Sequence, residues 1–150
     1  MERVIIWRLS DGSAPARSTV SPFEGYVAVT RDRLELGKKG ENLALKTIRN
    51  MGYQDIVQNY RCRLGEIDLI ARDGDTLVFL EIKTRRTGST ADAKEAVNAR
   101  KRRQISKVAL NYMKTNNCEN TRARFDVVAI SLVGSSPKIE VIKNAFDLAY

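Results

Sequence analysis

Three residues in this chain combine type and spacing in a way that suggests chemistry: Asp68, then Glu81 thirteen positions on, then Lys83. They interrupt two otherwise apolar runs, Glu66-Ile67-Asp68-Leu69-Ile70-Ala71 and Thr76-Leu77-Val78-Phe79-Leu80-Glu81-Ile82-Lys83. Charges in such a setting must be exposed, paired or functional, because burying an uncompensated charge is costly. Two carboxylates brought together suit a hard divalent cation, magnesium or manganese, which takes oxygen ligands and needs only one or two carboxylates from protein. A cation held there could activate water, align it on phosphorus and stabilise the charge that builds on phosphoryl oxygens. Asp68 and Glu81 are therefore candidate metal ligands, with the backbone carbonyl of Ile82 beside them. Lys83 could reach the attacking water or the scissile phosphate. The plainer alternative is a structural ion pair between Lys83 and one acid.

Whether these groups meet depends on the elements that carry them. The two runs are β-rich and separated by Arg72-Asp73-Gly74-Asp75, a strong hairpin signal. If Asp73-Gly74 is a two-residue turn, Glu66 faces Glu81, Asp68 faces Phe79 and Ile70 faces Leu77. One sheet face then carries Glu66, Asp68, Glu81 and Lys83. Asp68 and Glu81 become diagonal neighbours at about 7–8 Å between backbones. Ile67, Leu69, Ala71, Val78, Leu80 and Ile82 fall on the other face, which must lie on the core.

Upstream, Leu34 to Met51 has helical periodicity, with Glu41, Ala44, Leu45 and Ile48 on one face and Gly52 as a stop. Glu41 is the acid in that stripe. It could supply a further acid to the site, or simply sit at the stripe's edge near a helix start, where the dipole favours it. The preceding residues mix short β-prone pieces (Val4–Trp7, Tyr26–Val29) with turn signals, and read as a partly extended or disordered extension over residues 1–32. Downstream, Thr84–Ser89 reads as a basic loop. A helix is expected from about Asp92 to Lys114, with Ala93, Ala96, Val97, Ile105, Val108, Ala109 and Tyr112 as its apolar stripe and a break near Asn98. Strands at Arg124–Ser131 and Ile139–Ile142 follow, joined by a turn at Gly134–Pro137.

The charge is unevenly placed. The chain of 150 residues carries a net +8. Residues 1–30 balance three basic against three acidic side chains, whereas residues 83–107 hold nine basic against Asp92 and Glu95. A solvated helix face would explain such a run. Four consecutive basic residues following the candidate strand point instead to a phosphate-binding surface of Arg85, Arg86, Lys101, Arg102 and Arg103, with nucleic acid as the expected partner. With no histidine in the chain, Ser-His-Asp and Cys-His nucleophile systems are excluded. Cys62 and Cys118, far apart, form neither a zinc-ligand pattern nor a disulfide framework. No run approaches the ~20 apolar residues of a membrane span, so a cytoplasmic location is expected.

Several segments together resemble a known family. Gly37-x-x-Gly40-Glu41-x-x-Ala44, Asn59-Tyr60-Arg61, Gly65-Glu66-Ile67-Asp68-Leu69-Ile70, Phe79-Leu80-Glu81-Ile82-Lys83-Thr84-Arg85, Lys101-Arg102-Arg103 and Arg124-Phe125-Asp126-Val127-Val128 look like the bacterial YraN-like family of uncharacterised proteins. The match covers about residues 33–150. That family is grouped with the PD-(D/E)xK nuclease superfamily and is similar to archaeal Holliday-junction resolvases. Here Ile67, rather than proline, precedes Asp68.

The resemblance implies an α/β, restriction-endonuclease-like domain with a central mixed β-sheet flanked by helices. It also implies a metal site at Asp68 and Glu81, a catalytic Lys83 and an accessory acid at Glu41. The expected activity is magnesium-dependent endonucleolytic cleavage of DNA, branched or junction DNA included, and a homodimer would suit a substrate with two equivalent strands. The competing readings are a non-catalytic nucleic-acid-binding module of the same fold and an RNA-processing nuclease. Fold transfers along such a resemblance better than substrate does.

Overall fold

A computed structural model describes residues 22–86, 97–133 and 136–150, with side chains from residue 31 onward. Its elements are α1 (Pro22–Asn50), β1 (Gln54–Cys62), β2 (Gly65–Asp73), β3 (Thr76–Arg85), α2 (Ala99–Thr115), β4 (Ala123–Ser131) and β5 (Lys138–Phe146). The five strands form one sheet in sequence order. All neighbours are antiparallel except β3 and β4, which run parallel across the α2 crossover. This is the expected α/β architecture, a mixed sheet flanked by helices.

Both faces of the sheet are buried, each under one helix. On one side Ala44 and Ile48 of α1 pack on Leu69, Ala71, Val78, Leu80, Val128 and Ile130. On the other, Ile105, Val108, Ala109 and Met113 of α2 pack on Ile70, Leu77, Phe79, Phe125, Val127 and Ala129. Strands covered on both faces read as nearly continuous apolar runs. That is why β3 and β4 show so little alternation.

The hairpin forms, but with its turn one residue later than expected. Asp73 pairs with Thr76, so Gly74-Asp75 makes the turn, and Ile70 faces Phe79 rather than Leu77. Of the two turn residues only Gly74 has a positive φ, +60°. A turn with glycine first needs no left-handed aspartate, whereas an Asp73-Gly74 turn of type I′ would. Asp73 is thereby freed to bind Arg124 and Lys143.

Strict alternation also fails once. Ile67 joins Ile70 in the core under α2, away from Leu69. Across the β1–β2 ladder, Tyr60 pairs with Ile67 and Gln58 with Leu69, which leaves Asn59 level with Asp68. Asn59 has φ +51°. A left-handed residue there lets β1 change face at the same level, with Val57 and Tyr60 both against the α2-side core.

Helix α1 starts at Pro22, where proline suits the first helical position. Tyr26–Val29 therefore lie in helix, not in an extended segment, because β-branched residues only mildly disfavour helix. Glu41 consequently sits inside the helix, beyond the reach of its N-terminal dipole. Gly52, at φ +84°, ends the helix as expected. The anticipated break near Asn98 is the N-cap of α2: its side chain accepts a hydrogen bond from Lys101 N at 3.0 Å. Residues 1–21 of the extension, Ala93 and Ala96 of the expected helical stripe and the Gly134-Ser135 turn lie outside the described residues. No described helix is long and apolar enough to cross a membrane.

Candidate active site

The shifted turn brings Asp68 level with Glu81. Continuing the register beyond Leu69 and Leu80 sets the two directly opposite, closer than the diagonal relation expected. Regular pairing ends there. Asp68 Oδ2 accepts the hydrogen bond of Ile82 N at 2.7 Å, filling with a side chain the place a backbone carbonyl would take. The acid is thus anchored between two diverging strands, and it closes the hairpin's outer end.

Glu81 is 4% exposed. It lies on the α2 side of β3, two residues beyond buried Phe79. Lys83 Nζ donates to its Oε1 at 2.8 Å, and Lys101 Nζ, from the first turn of α2, stands 3.2 Å from its Oε2. The second approach lacks hydrogen-bond geometry. Oε2 is therefore buried with an ionic neighbour but no hydrogen bond. Native interiors leave few such atoms, so one beside a second carboxylate calls for a ligand.

Asp68 is pushed up to about 6. Burial is the main cause and the charge of Glu81 the next; the Ile82 hydrogen bond and the charges of Lys101 and Lys83 pull the other way. Two carboxylates that repel each other out of water are what a divalent cation relieves. Among the described residues no cluster of three acids or thiols could hold a metal. A pair suffices for magnesium, which completes its shell with water and substrate oxygens. The donor set fits a hard cation, with Asp68 and Glu81 as its carboxylates.

The other expected residues divide. Ile82 sits between Glu81 and Lys83, with its N–H committed to Asp68. Glu41 is exposed and forms no ion pair among the described residues. It follows Gly40, whose backbone abuts Thr84 so closely that a Cβ would overlap the threonine side chain. Helix α1 thus delivers Glu41 to the end of β3 just past Lys83, though not into contact with the other two acids. Glu66, placed on the same face by the expected register, instead pairs with Arg61 at 3.1 Å.

Within the basic set, Arg85, Arg86 and Arg103 are exposed, and Arg86 lies 3.6 Å from Asp32. Arg102 is turned inward. Its Nε donates to the Val97 carbonyl at 2.6 Å, and its guanidinium lies over Phe146. Lys101 faces the acids rather than solvent alone. Sequence reasoning did not anticipate that role: the phase of the Ile105, Val108 and Tyr112 stripe points Lys101 and Arg102 inward, but not to Glu81 as the partner.

A second polar cluster, on the opposite face of the sheet, also escaped the sequence. Asp126, fully buried, receives Arg124 Nε on both oxygens at 3.0 and 3.1 Å and Asn144 N at 2.9 Å. Arg124 also reaches Tyr53 Oη at 2.8 Å and Asp73 Oδ2 at 2.6 Å. The alternation Arg124-x-Asp126 was the available signal, since two charges on one face of a buried strand must pair. Its partners satisfy one another, which marks it as structural.

Comparison with known proteins adds the family. A model described as "Uncharacterised protein family UPF0102" matches residues 40–130, a span that includes all four candidate catalytic residues. A UPF0102 protein of Syntrophus aciditrophicus is 50% identical over 117 residues, covering 78% of this chain and 92% of its own. One from Geobacter metallireducens is 48% identical over 115 residues, covering 77% and 94%. A more distant one, from Caldicellulosiruptor saccharolyticus, is 38% identical over 117 residues, covering 77% and 99%. The chain belongs to the uncharacterised protein family UPF0102.

Proposed function

We propose that this chain is a magnesium-dependent endonuclease that hydrolyses phosphodiester bonds in DNA, branched or junction forms included. The observation that carries the reading is Glu81 Oε2, buried with Lys101 Nζ at 3.2 Å but without a hydrogen bond, on a carboxylate whose charge helps to raise the half-buried Asp68. A structural ion pair between Lys83 and Glu81 needs no second carboxylate in its field. Asp68 and Glu81 would hold the ion, with the Ile82 carbonyl as a further oxygen. Magnesium, when bound, supplies water activation and neutralises charge on phosphoryl oxygens. Lys83, fixed by Glu81 at 2.8 Å, places a positive charge where it orients water or meets the phosphoryl group. Glu41 stands at the rim to bind water or a second ion. Arg85, Arg86 and Arg103 offer exposed guanidinium groups to phosphates on either side.

The test is cleavage of linear, flapped, four-way-junction and RNA substrates in magnesium by the intact protein and by Asp68→Ala. Cleavage of DNA that disappears in the variant, with DNA binding retained, supports the reading. If the intact protein cuts nothing yet binds DNA in a salt-sensitive way, the chain is a binding module of the same fold. Preferential cleavage of RNA would move the assignment to RNA processing.

A further inference from the structure

We propose that the tip of the β1–β2 hairpin and the first turns of α2 form a pocket for one unpaired DNA nucleotide beside the acid pair. This rests on the reading of the chain as a DNA-acting protein and narrows its substrate to DNA that presents an unpaired nucleotide at the cut. The pocket has a volume of about 440 Å³ and is lined by Arg61, Arg63, Leu64, Gly65, Lys101 and Gln104, among others. That volume is within the range of small-ligand sites, and the pocket is open to solvent on one side. A duplex is usually read by a convex element entering a groove, whereas unpaired or extruded bases are read in concave pockets.

Its chemistry matches a nucleotide in each part. Lys101 belongs both to this wall and to the Glu81 ion pair, so a phosphate bound here lies next to the candidate metal ligands. Arg63, exposed at the hairpin tip, forms no ion pair among the described residues and offers a fork of donors to a phosphate. Arg61 is held to the rim by Glu66 at 3.1 Å. Gln104 presents an amide, which both donates and accepts and so fits the edge of a base. It lies flat against Gly65, where a Cβ would come within 2.6 Å of Gln104 Nε2 and where φ is +140°. The φ there favours glycine, and its absence of a side chain lets the amide line the floor. Leu64 is 48% exposed at the very tip. An aliphatic side chain so placed, flanked by Arg63, suits insertion against the last stacked base pair.

The test measures binding without cleavage. Fluorescently labelled blunt duplex, flapped duplex, single-stranded DNA and single-stranded RNA are titrated in metal-free buffer with the intact chain, Arg63→Ala, Gln104→Ala and Leu64→Ser. Arg63, Gln104 and Leu64 are all exposed at the surface, and thermal melting confirms that each variant folds. The expected result is that each substitution weakens flapped-DNA binding by about fivefold or more while blunt-duplex binding stays within about twofold, as losing one contact at the unpaired nucleotide predicts, to its phosphate at Arg63, its base edge at Gln104 or the adjoining stack at Leu64. Equal losses on blunt and flapped DNA, no loss on either, or tighter binding of single-stranded RNA than of single-stranded DNA would overturn the proposal. The outcome is separable from that of the nuclease reading. Flap-selective losses in a protein that never cuts DNA would support the pocket and defeat the nuclease, whereas magnesium-dependent cutting with no flap-selective loss would do the reverse.

Discussion

Asp68 Oδ2 lies 2.7 Å from the amide nitrogen of Ile82, so the carboxylate replaces a strand carbonyl at the point where β2 and β3 part. The acid is oriented before any ion arrives, by a bond to the backbone between Glu81 and Lys83. Preorganisation of this kind is what a site needs if binding is not to spend energy on ordering its ligands. It also has a thermodynamic cost. A carboxylate pushed up to about 6 holds its proton to a higher pH in the folded chain than in the unfolded one.

The first prediction follows from that cost. Because the folded pKa of Asp68 exceeds its ordinary value of 3.8, the folded state binds more protons than the unfolded state between about pH 4 and 6. Metal-free stability therefore carries a contribution from this residue that is present at low pH and lost as pH rises through that window. The substitution Asp68→Asn keeps an acceptor for the Ile82 N–H without the charge. At pH 7.5 in a chelator the variant should be more stable than the parent by the order of 2 kcal/mol, the gap closing towards pH 4. Saturating magnesium should stabilise the parent and leave the variant unchanged. Urea unfolding at pH 4.5 and 7.5, with and without magnesium, measures all of this; a parent more stable than the variant in chelator at pH 7.5 would contradict it.

What the sequence disclosed and what it withheld divide along physical lines. The hairpin, the stop at Gly52 and the cap near Asn98 were legible because turns and helix ends are written in single residue types. The meeting of Asp68 with Glu81 was legible because a two-residue turn starting at either Asp73 or Gly74 keeps the same face parity. The register was not. Choosing between Asp73-Gly74 and Gly74-Asp75 depends on Arg124 and Lys143, some 50 and 70 residues away, which draw Asp73 out of the turn. The face switch at Asp68 was hidden as well. The neighbouring strand changes face at the same level, at Asn59, and no pattern within β2 encodes the switch. Lys101 was visible as a cation but not as the partner of Glu81, which requires the crossover geometry of α2.

The cluster around Asp126 gives the second prediction. Among the described residues Arg124 is the only cation hydrogen-bonded to this fully buried carboxylate; Asn144 N and, at 3.5 Å, Tyr53 Oη would remain without it. Arg124→Met keeps the length and apolar bulk of the side chain but strands the charge. Removing one partner of a buried pair costs about 3–5 kcal/mol, far more than the pair itself contributes. Adding Asp126→Asn to Arg124→Met should recover much of the loss. A double-mutant cycle by chemical denaturation checks it, and a loss in the single variant below that of a surface ion pair, about 1 kcal/mol, would show that Asp126 is not held as described.

The third prediction concerns how close α1 must come to the site. Gly40 packs on Thr84, one residue past Lys83, with no room for a Cβ. In a free helix, replacing glycine by alanine would stabilise by about 1 kcal/mol. Here the added methyl meets a β-branched side chain whose rotation is restricted, so the helix must lift or the strand must bend. Overpacking of this kind costs about 1–3 kcal/mol, and that term should outweigh the propensity gain. Gly40→Ala should therefore lower the midpoint of urea unfolding, and Thr84→Ala in the same chain should restore part of it. Because the lift carries Glu41 away from the end of β3, the variant should also cleave more slowly than its stability loss explains if Glu41 serves the site. A Gly40→Ala protein that unfolds at higher urea than the parent would show that α1 does not press on β3, and Glu41 would then have no fixed relation to Lys83.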